Sequence, residues 1–344
     1  MRAVLIEEFG AMPIVTDVPD PAPRPDGVVV RVQASGLCRS DWHAWSGHDD
    51  TVALPHVPGH ELVGVVAEVG RDVRRVAVGD RVTTPFVCGC GACEQCRAGH
   101  AQVCPHQEQP GFTHWGSFAE LVEVRHADAN VIAVPDDADA AGAALLGCRL
   151  ATSFRALAQA ATGPGDTVLV IGCGGVGLSA VMIGRALGAE VVAVDLDGRA
   201  LGRAAGLGAG RTVDVSGLAP DDARDAVRAA TGGDGASVAV EAIGNESALA
   251  LGIRSLRRRG TLVQVGLFAQ EPRVPVPDMV ARELRLLGSH GMAAADYPAM
   301  TAMVADGRLR PELLVSERIS LDDAPAALAG LEARAGDGVA VVTF

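Results

Sequence analysis

The spacing of apolar residues changes about 150 positions into the chain. Before that point apolar residues come in short, partly alternating runs, such as 28–32 and 62–69, separated by Gly, Pro and Asp. This pattern predicts a β-rich unit over residues 1–149. From 150 to 290 the rhythm is different. A continuous apolar strand at 167–171 leads into a helix over 175–188, a strand at 190–194 and further strands at 237–240 and 260–265, with helical patterns between them. Strand and helix in alternation predict βαβ units around a parallel sheet, so the fold class is α/β. Helices at 295–306 and 321–334 and a last strand at 339–343 complete the chain. The Pro-rich stretch 19–25 reads as a loop between early strands, and no repeat is visible. A length of 344 residues suits about two domains.

The 167–171 strand runs into Gly172-Cys173-Gly174-Gly175-Val176-Gly177, and the next strand ends in Asp195, 23 positions after Gly172. A glycine pattern alone is weak evidence, but here it sits between a strand and a helix. Glycines allow a tight turn and close approach of a pyrophosphate to backbone, and the helix N-terminus favours its charge. Asp195 can accept from adenine-ribose hydroxyls and would repel a 2′-phosphate, which points to NAD. Arg199 lies close enough to pull the other way. Cys173 reads as a small buried residue.

Composition narrows the class. Apolar residues make up 49% and the net charge is −13, which argues against nucleic acid as a partner. All basic residues are Arg, so any permanent cation in a site must be Arg. No run reaches the roughly 18 apolar residues of a membrane span. The first ten residues read as a strand and not as a signal peptide, so a cytoplasmic location is expected.

The chain has eight cysteines. In a large chain without a secretory signal their clustering favours metal over disulfides. Cys90, Cys93, Cys96 and Cys104 have the spacing of a closed tetrahedral zinc site, and a metal would order a segment with little apolar content. Cys88 is a fifth candidate that would shift the register by two. Cys90 keeps the even spacing and is preferred.

A second group is more scattered: Cys38-Arg39-Ser40-Asp41-Trp42-His43, then His60-Glu61, then Cys148. Spacing alone leaves these unconnected. Their order along the chain, together with the four-cysteine segment and the Gly172–Gly177 loop, resembles the zinc-containing medium-chain dehydrogenases of the alcohol dehydrogenase type. The resemblance covers nearly the whole chain. It implies a GroES-like catalytic domain (1–149), a Rossmann domain (150–290) and a final segment (291–344) that returns to the catalytic domain.

The same resemblance implies two Zn²⁺ per chain and NAD. Cys38, His60 and Cys148 would hold the catalytic zinc, with Glu61 beside it and Asp41 fixing the His60 tautomer. Zinc would ease loss of the alcohol proton. Ser40 would take that proton and His43 pass it to solvent. Thr152 would sit against the nicotinamide and Arg39 beside the phosphates. The chain departs from the family in one place. An Arg that often touches the pyrophosphate near the last strand has no counterpart in Gly336-Asp337-Gly338-Val339-Ala340-Val341.

Trp42, Trp45, Phe86, Phe112 and Trp115 form a candidate pocket for an apolar or aromatic substrate, in a chain with only 3% aromatics. Polyol or amino-alcohol oxidation, or carbonyl reduction, would use the same chemistry. A non-catalytic zinc- and nucleotide-binding protein is the distant alternative. A homodimer or homotetramer is expected, with 260–265 as an edge strand and 283–288 as interface material.

Overall fold

Val, Leu and Ile fill the strands that alternate with helices, because both faces of a parallel sheet are covered. The computed structural model describes residues 1–334 and 338–344. Six parallel strands lie in the order Arg211–Asp214, Glu190–Asp195, Thr167–Ile171, Ala236–Glu241, Leu256–Gln264 and Arg285–Gly288. Strand order reverses between Thr167–Ile171 and Ala236–Glu241. Ligands of such sheets bind at that switch point, beyond the carboxyl ends of the strands.

The second sheet has seven strands. Val28–Gly36 and Glu61–Val69 pair antiparallel at its centre, and Arg81–Thr83, Leu121–Val124 and Ile132–Ala133 extend it. The chain end joins this sheet. Val339–Thr343 pairs antiparallel with Val28–Gly36 and parallel with Val315–Ile319. No helix among the described residues is long and apolar enough to cross a membrane.

Several expectations need correction. The strand covering 260–265 is not an edge: Leu256–Gln264 is paired on both sides, and the edges are Arg211–Asp214 and Arg285–Gly288. The stretch 321–334 is not one helix. It breaks into Leu321–Asp323, Ala324–Ala329 and Leu331–Arg334, with Gly330 capping the middle piece. The helix after the glycine loop ends at Ala186, and the later one spans Tyr297–Ala305.

Between the two sheets the backbone widens into a π-helical turn at Leu146–Leu150, continued by the α-helix Ala151–Gln159. Such turns leave carbonyls without their helical partners and are frequent at functional sites. Tyr297, the only tyrosine in the chain, meets that need. Its buried hydroxyl donates to the carbonyls of Leu146 at 3.1 Å and Gly147 at 3.3 Å, and Phe86 N–H also donates to Gly147 at 3.0 Å. Tyr297→Phe removes one donor from buried carbonyls. It should cost about 1–2 kcal/mol in chemical denaturation. A variant with unchanged stability would show that the hydroxyl does not support the turn.

Candidate active site

A carboxylate ties the first two segments of the site together. Asp41, in the helix Arg39–Trp45, is fully buried. Its Oδ2 accepts from Cys38 N–H at 2.9 Å, and its Oδ1 accepts from Gly59 N–H at 3.1 Å and from His60 Nδ1 at 2.8 Å. Gly59 has φ +102, and a Cβ there would stand 2.6 Å from the Phe118 amide nitrogen, so glycine is required where the chain brings His60 inward. With its Nδ1 proton given to Asp41, His60 presents the Nε2 lone pair. That atom is buried and has no partner.

Facing Nε2 are the other donors. Ligand atoms of Cys38, His60, Glu61 and Cys148 all lie within 4.8 Å of one another. Two thiols, an imidazole with a free lone pair and a carboxylate make a donor set suited to zinc, and the orphaned Nε2 is the atom that an ion would satisfy. Cys38 is held well below the ordinary thiol value, first by a hydrogen bond from Cys148 and, against the effect of burial, by His60. The Cys148 thiol is pushed well above it by the same bond and by burial. Both sulfurs ligate a metal as thiolates, so metal binding here releases protons.

Glu61 does not stand alone. Arg149 Nε donates to both its oxygens at 2.9 Å, Arg149 Nη2 lies 2.6 Å from Oε2, and Arg149 N–H donates to Oε1 at 3.1 Å. Arg149 Nη2 also donates to the Leu37 carbonyl at 2.7 Å. Burial pushes the Glu61 carboxyl above its ordinary value, and Arg149 opposes that shift. Sequence reasoning missed Arg149. The signal was present: it is the one charged residue in the otherwise apolar stretch 140–151.

The second cluster is separate. Sγ atoms of Cys90, Cys93, Cys96 and Cys104 lie within 4.8 Å of one another. Backbone amides point at the sulfurs: Cys90 and His106 N–H donate to Cys104 at 3.4 and 3.3 Å, and Cys96 N–H donates to Cys93 at 3.5 Å. The Cys90 thiol is held down at about 6, first by the Ala92 amide, whereas burial and the neighbouring sulfurs push Cys96 up to about 12. Four sulfurs this close repel as thiolates, and a dication relieves that repulsion. Cys88 takes no part. It is buried beside Thr84 in the apolar core of the sheet, where burial raises it to about 12.

At the parallel sheet's switch point the glycine loop meets several distinct constraints. A side chain at Gly172 would strike Ile243, and one at Gly177 would strike the Gly172 carbonyl. A Cβ at Gly175 would stand 2.6 Å from Arg149 Nη1, and Gly174 faces open space. The Ser153 hydroxyl donates to the Val176 carbonyl at 2.8 Å. Asp195 Oδ2 accepts from the Cys173 amide at 2.6 Å, and Oδ1 accepts from Leu196 and Asp197. Asp195 opens onto a cavity of about 550 Å³ lined by Val194, Leu196, Ile243 and Asn245. Arg199 is tied to Asp197 at 3.3 Å. Glu241, also absent from the sequence reading, receives the Ile243 and Gly244 amides and shapes the loop opposite.

The remaining candidates divide. Ser40 Oγ is 3.8 Å from Cys38 Sγ. His43, one turn on, reaches out to His48, Nδ1 to Nδ1 at 3.2 Å. The Thr152 hydroxyl is buried without a partner. Phe86 and Phe112 flank His60, with ring centroids 6.0 and 5.2 Å away. Trp45 and Trp115 point elsewhere. Trp45 Nε1 donates to the Ala11 carbonyl, and Trp115 packs with Ala3, Val57 and Ala119 while its Nε1 donates to Pro55. Arg39 is exposed, 3.8 Å from Glu332 and over the Trp42 ring. Of the segment lacking the expected Arg, Gly336 and Asp337 lie outside the described residues.

Comparison with known proteins agrees with this geometry. Residues 24–136 match the family model of the alcohol dehydrogenase GroES-like domain, and residues 175–306 match that of the zinc-binding dehydrogenases. An alcohol dehydrogenase of Geobacillus stearothermophilus is 34% identical over 322 residues, covering 92% of each chain. An NAD-dependent alcohol dehydrogenase of Sulfurisphaera tokodaii is 30% identical over 342 residues, covering 96% of each. The solved alcohol dehydrogenase TADH from Thermus sp. ATN1 superposes with a TM-score of 0.91 at 31% identity, over 100% of this chain and 99% of that one. Because two family models and relatives along nearly its whole length agree with a buried thiol–imidazole–carboxylate cluster beside a dinucleotide-type sheet, the chain belongs to the zinc-dependent medium-chain alcohol dehydrogenases and is an alcohol oxidoreductase.

Proposed function

We propose that this enzyme moves a hydride between an alcohol and NAD, with Cys38, His60 and Cys148 holding the catalytic zinc and Cys90, Cys93, Cys96 and Cys104 a structural one. The observation that carries this reading is the buried His60 Nε2, unpartnered and surrounded by Cys38, Cys148 and Glu61. Zinc bound there supplies the Lewis acidity that makes an alcohol hydroxyl acidic. The Phe86 and Phe112 rings favour an apolar substrate beside it. The enzyme is read as a cytoplasmic homodimer or homotetramer, with the Arg285–Gly288 edge as an interface element. The chain is read as dividing at 149 and 290, with the last segment rejoining the first unit; the pairing of Val339–Thr343 with Val28–Gly36 supports that reading.

Metal-replete protein should contain about two zinc ions per chain by elemental analysis, and each cysteine cluster should answer separately. Cys93→Ser should lower the melting temperature and the zinc ratio to near one. Cys148→Ser should keep the melting temperature near that of the unaltered enzyme while turnover falls by at least about a hundredfold. Full activity at a ratio of one would mean that one cluster is not a zinc site.

NAD should be preferred over NADP. Asp195 ends its strand at the cavity, where a 2′-phosphate would meet a carboxylate. Arg199 lies 3.3 Å from Asp197, a carboxylate that competes with a phosphate for it. The ratio of kcat/KM for the two cofactors should exceed about tenfold. A ratio favouring NADP would mean that a guanidinium outweighs Asp195.

Ser40, beside Cys38, is read as the acceptor of the alcohol proton, and His43 as its exit to solvent. No hydrogen bond joins Ser40 to His43 among the described residues, so a ribose hydroxyl of the cofactor is the natural link. Burial, followed by the charges of Arg39 and His48, lowers the His43 imidazole below its ordinary value, against weaker opposing effects of Cys38 and Glu332. The neutral ring accepts the proton, so the lowered value extends its working range toward acid. His43→Gln should therefore lose most oxidation rate from neutral pH down to about 6.5. At high pH, hydroxide and buffer base should restore part of the rate. Zinc measured on the same sample should be unchanged. Loss of one zinc would make His43 a ligand, and an unchanged pH profile would remove it from the proton path.

A further inference from the structure

Arg149 occupies a position that the metal cluster alone does not explain. It follows Cys148 in the π-helical turn and is only 4% exposed. Nε, Nη2 and the backbone N–H are committed to Glu61 and the Leu37 carbonyl. Nη1 is not. Among the described residues it has no hydrogen bond, and it lies 2.6 Å from where a Cβ on Gly175 would stand. Gly175 opens the twelve-residue helix that follows the glycine loop. The guanidinium thus has one edge on the carboxylate beside the metal donors and one nitrogen aimed at a helix N-terminus.

The chain has no lysine, and the arginine common in this family near the last strand has no counterpart in 336–341. Arg39 is exposed and turned toward Glu332. Of the two buried arginines among the described residues, Arg81 is taken up by Gln33 and the carbonyls of Pro135, Asp136 and Ala138, and Arg149 is the one beside the first turn of that helix. A planar fork is the side chain best suited to hold a carboxylate on one edge and phosphate oxygens with the remaining donor.

We propose that Arg149 is a positioning residue that joins the two halves of the site, holding Glu61 with Nε and Nη2 while Nη1 donates to the diphosphate of the bound dinucleotide. This rests on the dinucleotide reading above. Dinucleotide binding draws on the same guanidinium that restrains Glu61, so the diphosphate and the metal donors sense each other through one side chain. A bound diphosphate fixes the fork, the fork holds Glu61 in its present place, and the donor set becomes harder to open. The glycine at 175 has its reason in the same contact, since any side chain there would displace Nη1.

The test uses the zinc-loaded enzyme with ADP-ribose, which carries the diphosphate, and AMP, which carries only the adenine-side phosphate. Calorimetric titration of Arg149→Gln should show ADP-ribose binding weakened by about tenfold to a hundredfold, the range for one charge-assisted hydrogen bond, with AMP affected far less. Arg149→Lys, which keeps a charge but not the fork, should recover part of the loss. In the unaltered enzyme ADP-ribose should slow zinc release to a chromophoric chelator, and Arg149→Gln should abolish that protection. Removing the cation leaves Glu61 buried and unpaired, so Arg149→Gln can fail to fold. The double variant Glu61→Gln with Arg149→Gln removes both members of this ion pair, leaves neither charge uncompensated, and should show the same loss of ADP-ribose affinity. Failure of the unaltered enzyme to bind ADP-ribose would overturn the dinucleotide reading itself. If that enzyme binds and the variants match it within about twofold, Arg149 does not touch the diphosphate. Protection from zinc loss that persists in Arg149→Gln would overturn the coupling.

Discussion

A buried carboxylate is costly unless every lone pair that it turns inward meets a donor. Asp41 satisfies that demand with the amides of Cys38 and Gly59 and the ring of His60. In doing so it fastens the end of one central strand to the start of the next. The two segments carry the first thiol and the imidazole of the metal cluster, and both are oriented by the same two oxygens. The rest of the site is built onto this tie. His60 keeps its free nitrogen toward the thiols because its other nitrogen is held by Asp41, and Gly59 is glycine because the chain must bend sharply past Phe118 to make the contact.

The third donor arrives from a different direction. Cys148 sits on a π-helical turn between the two sheets, and the widened turn separates consecutive side chains in function. Cys148 joins the metal donors, and Arg149 meets Glu61 and the glycine loop. A regular α-helical turn would have closed the Leu146 and Gly147 carbonyls into its own ladder. Here they are answered by Tyr297, from a helix more than a hundred residues later. The geometry of the donor cluster therefore depends on a hydroxyl that touches none of the donor atoms.

Much of the site was legible in order along the chain. The strand–glycine loop–helix with Asp195 after the next strand carries its own context, because the physical requirements of a phosphate-binding turn are local. The four-cysteine segment is local for the same reason: its donors lie within fifteen residues. The second donor group was different. Cys38, His60 and Cys148 are far apart in sequence, and only the family resemblance joined them. Aromatic residues were harder still. Phe86 and Phe112 lie against His60, while Trp45 and Trp115 satisfy backbone carbonyls elsewhere, and composition does not separate the two pairs.

What the amino-acid sequence determined by itself are the features whose physics is short-ranged: strand and helix periodicity, the glycine turn, the Cys90–Cys104 lobe, and the absence of lysine. Tertiary structure decided the rest, because burial and pairing are properties of two segments at once. It excluded Cys88 by sealing it in the core, and it made Leu256–Gln264 an inner strand by pairing Arg285–Gly288 beside it. It turned Arg149 from one charged residue in an apolar run into the partner of Glu61. A guanidinium can be buried only where a carboxylate waits for it, and that carboxylate lies 88 residues away in the chain.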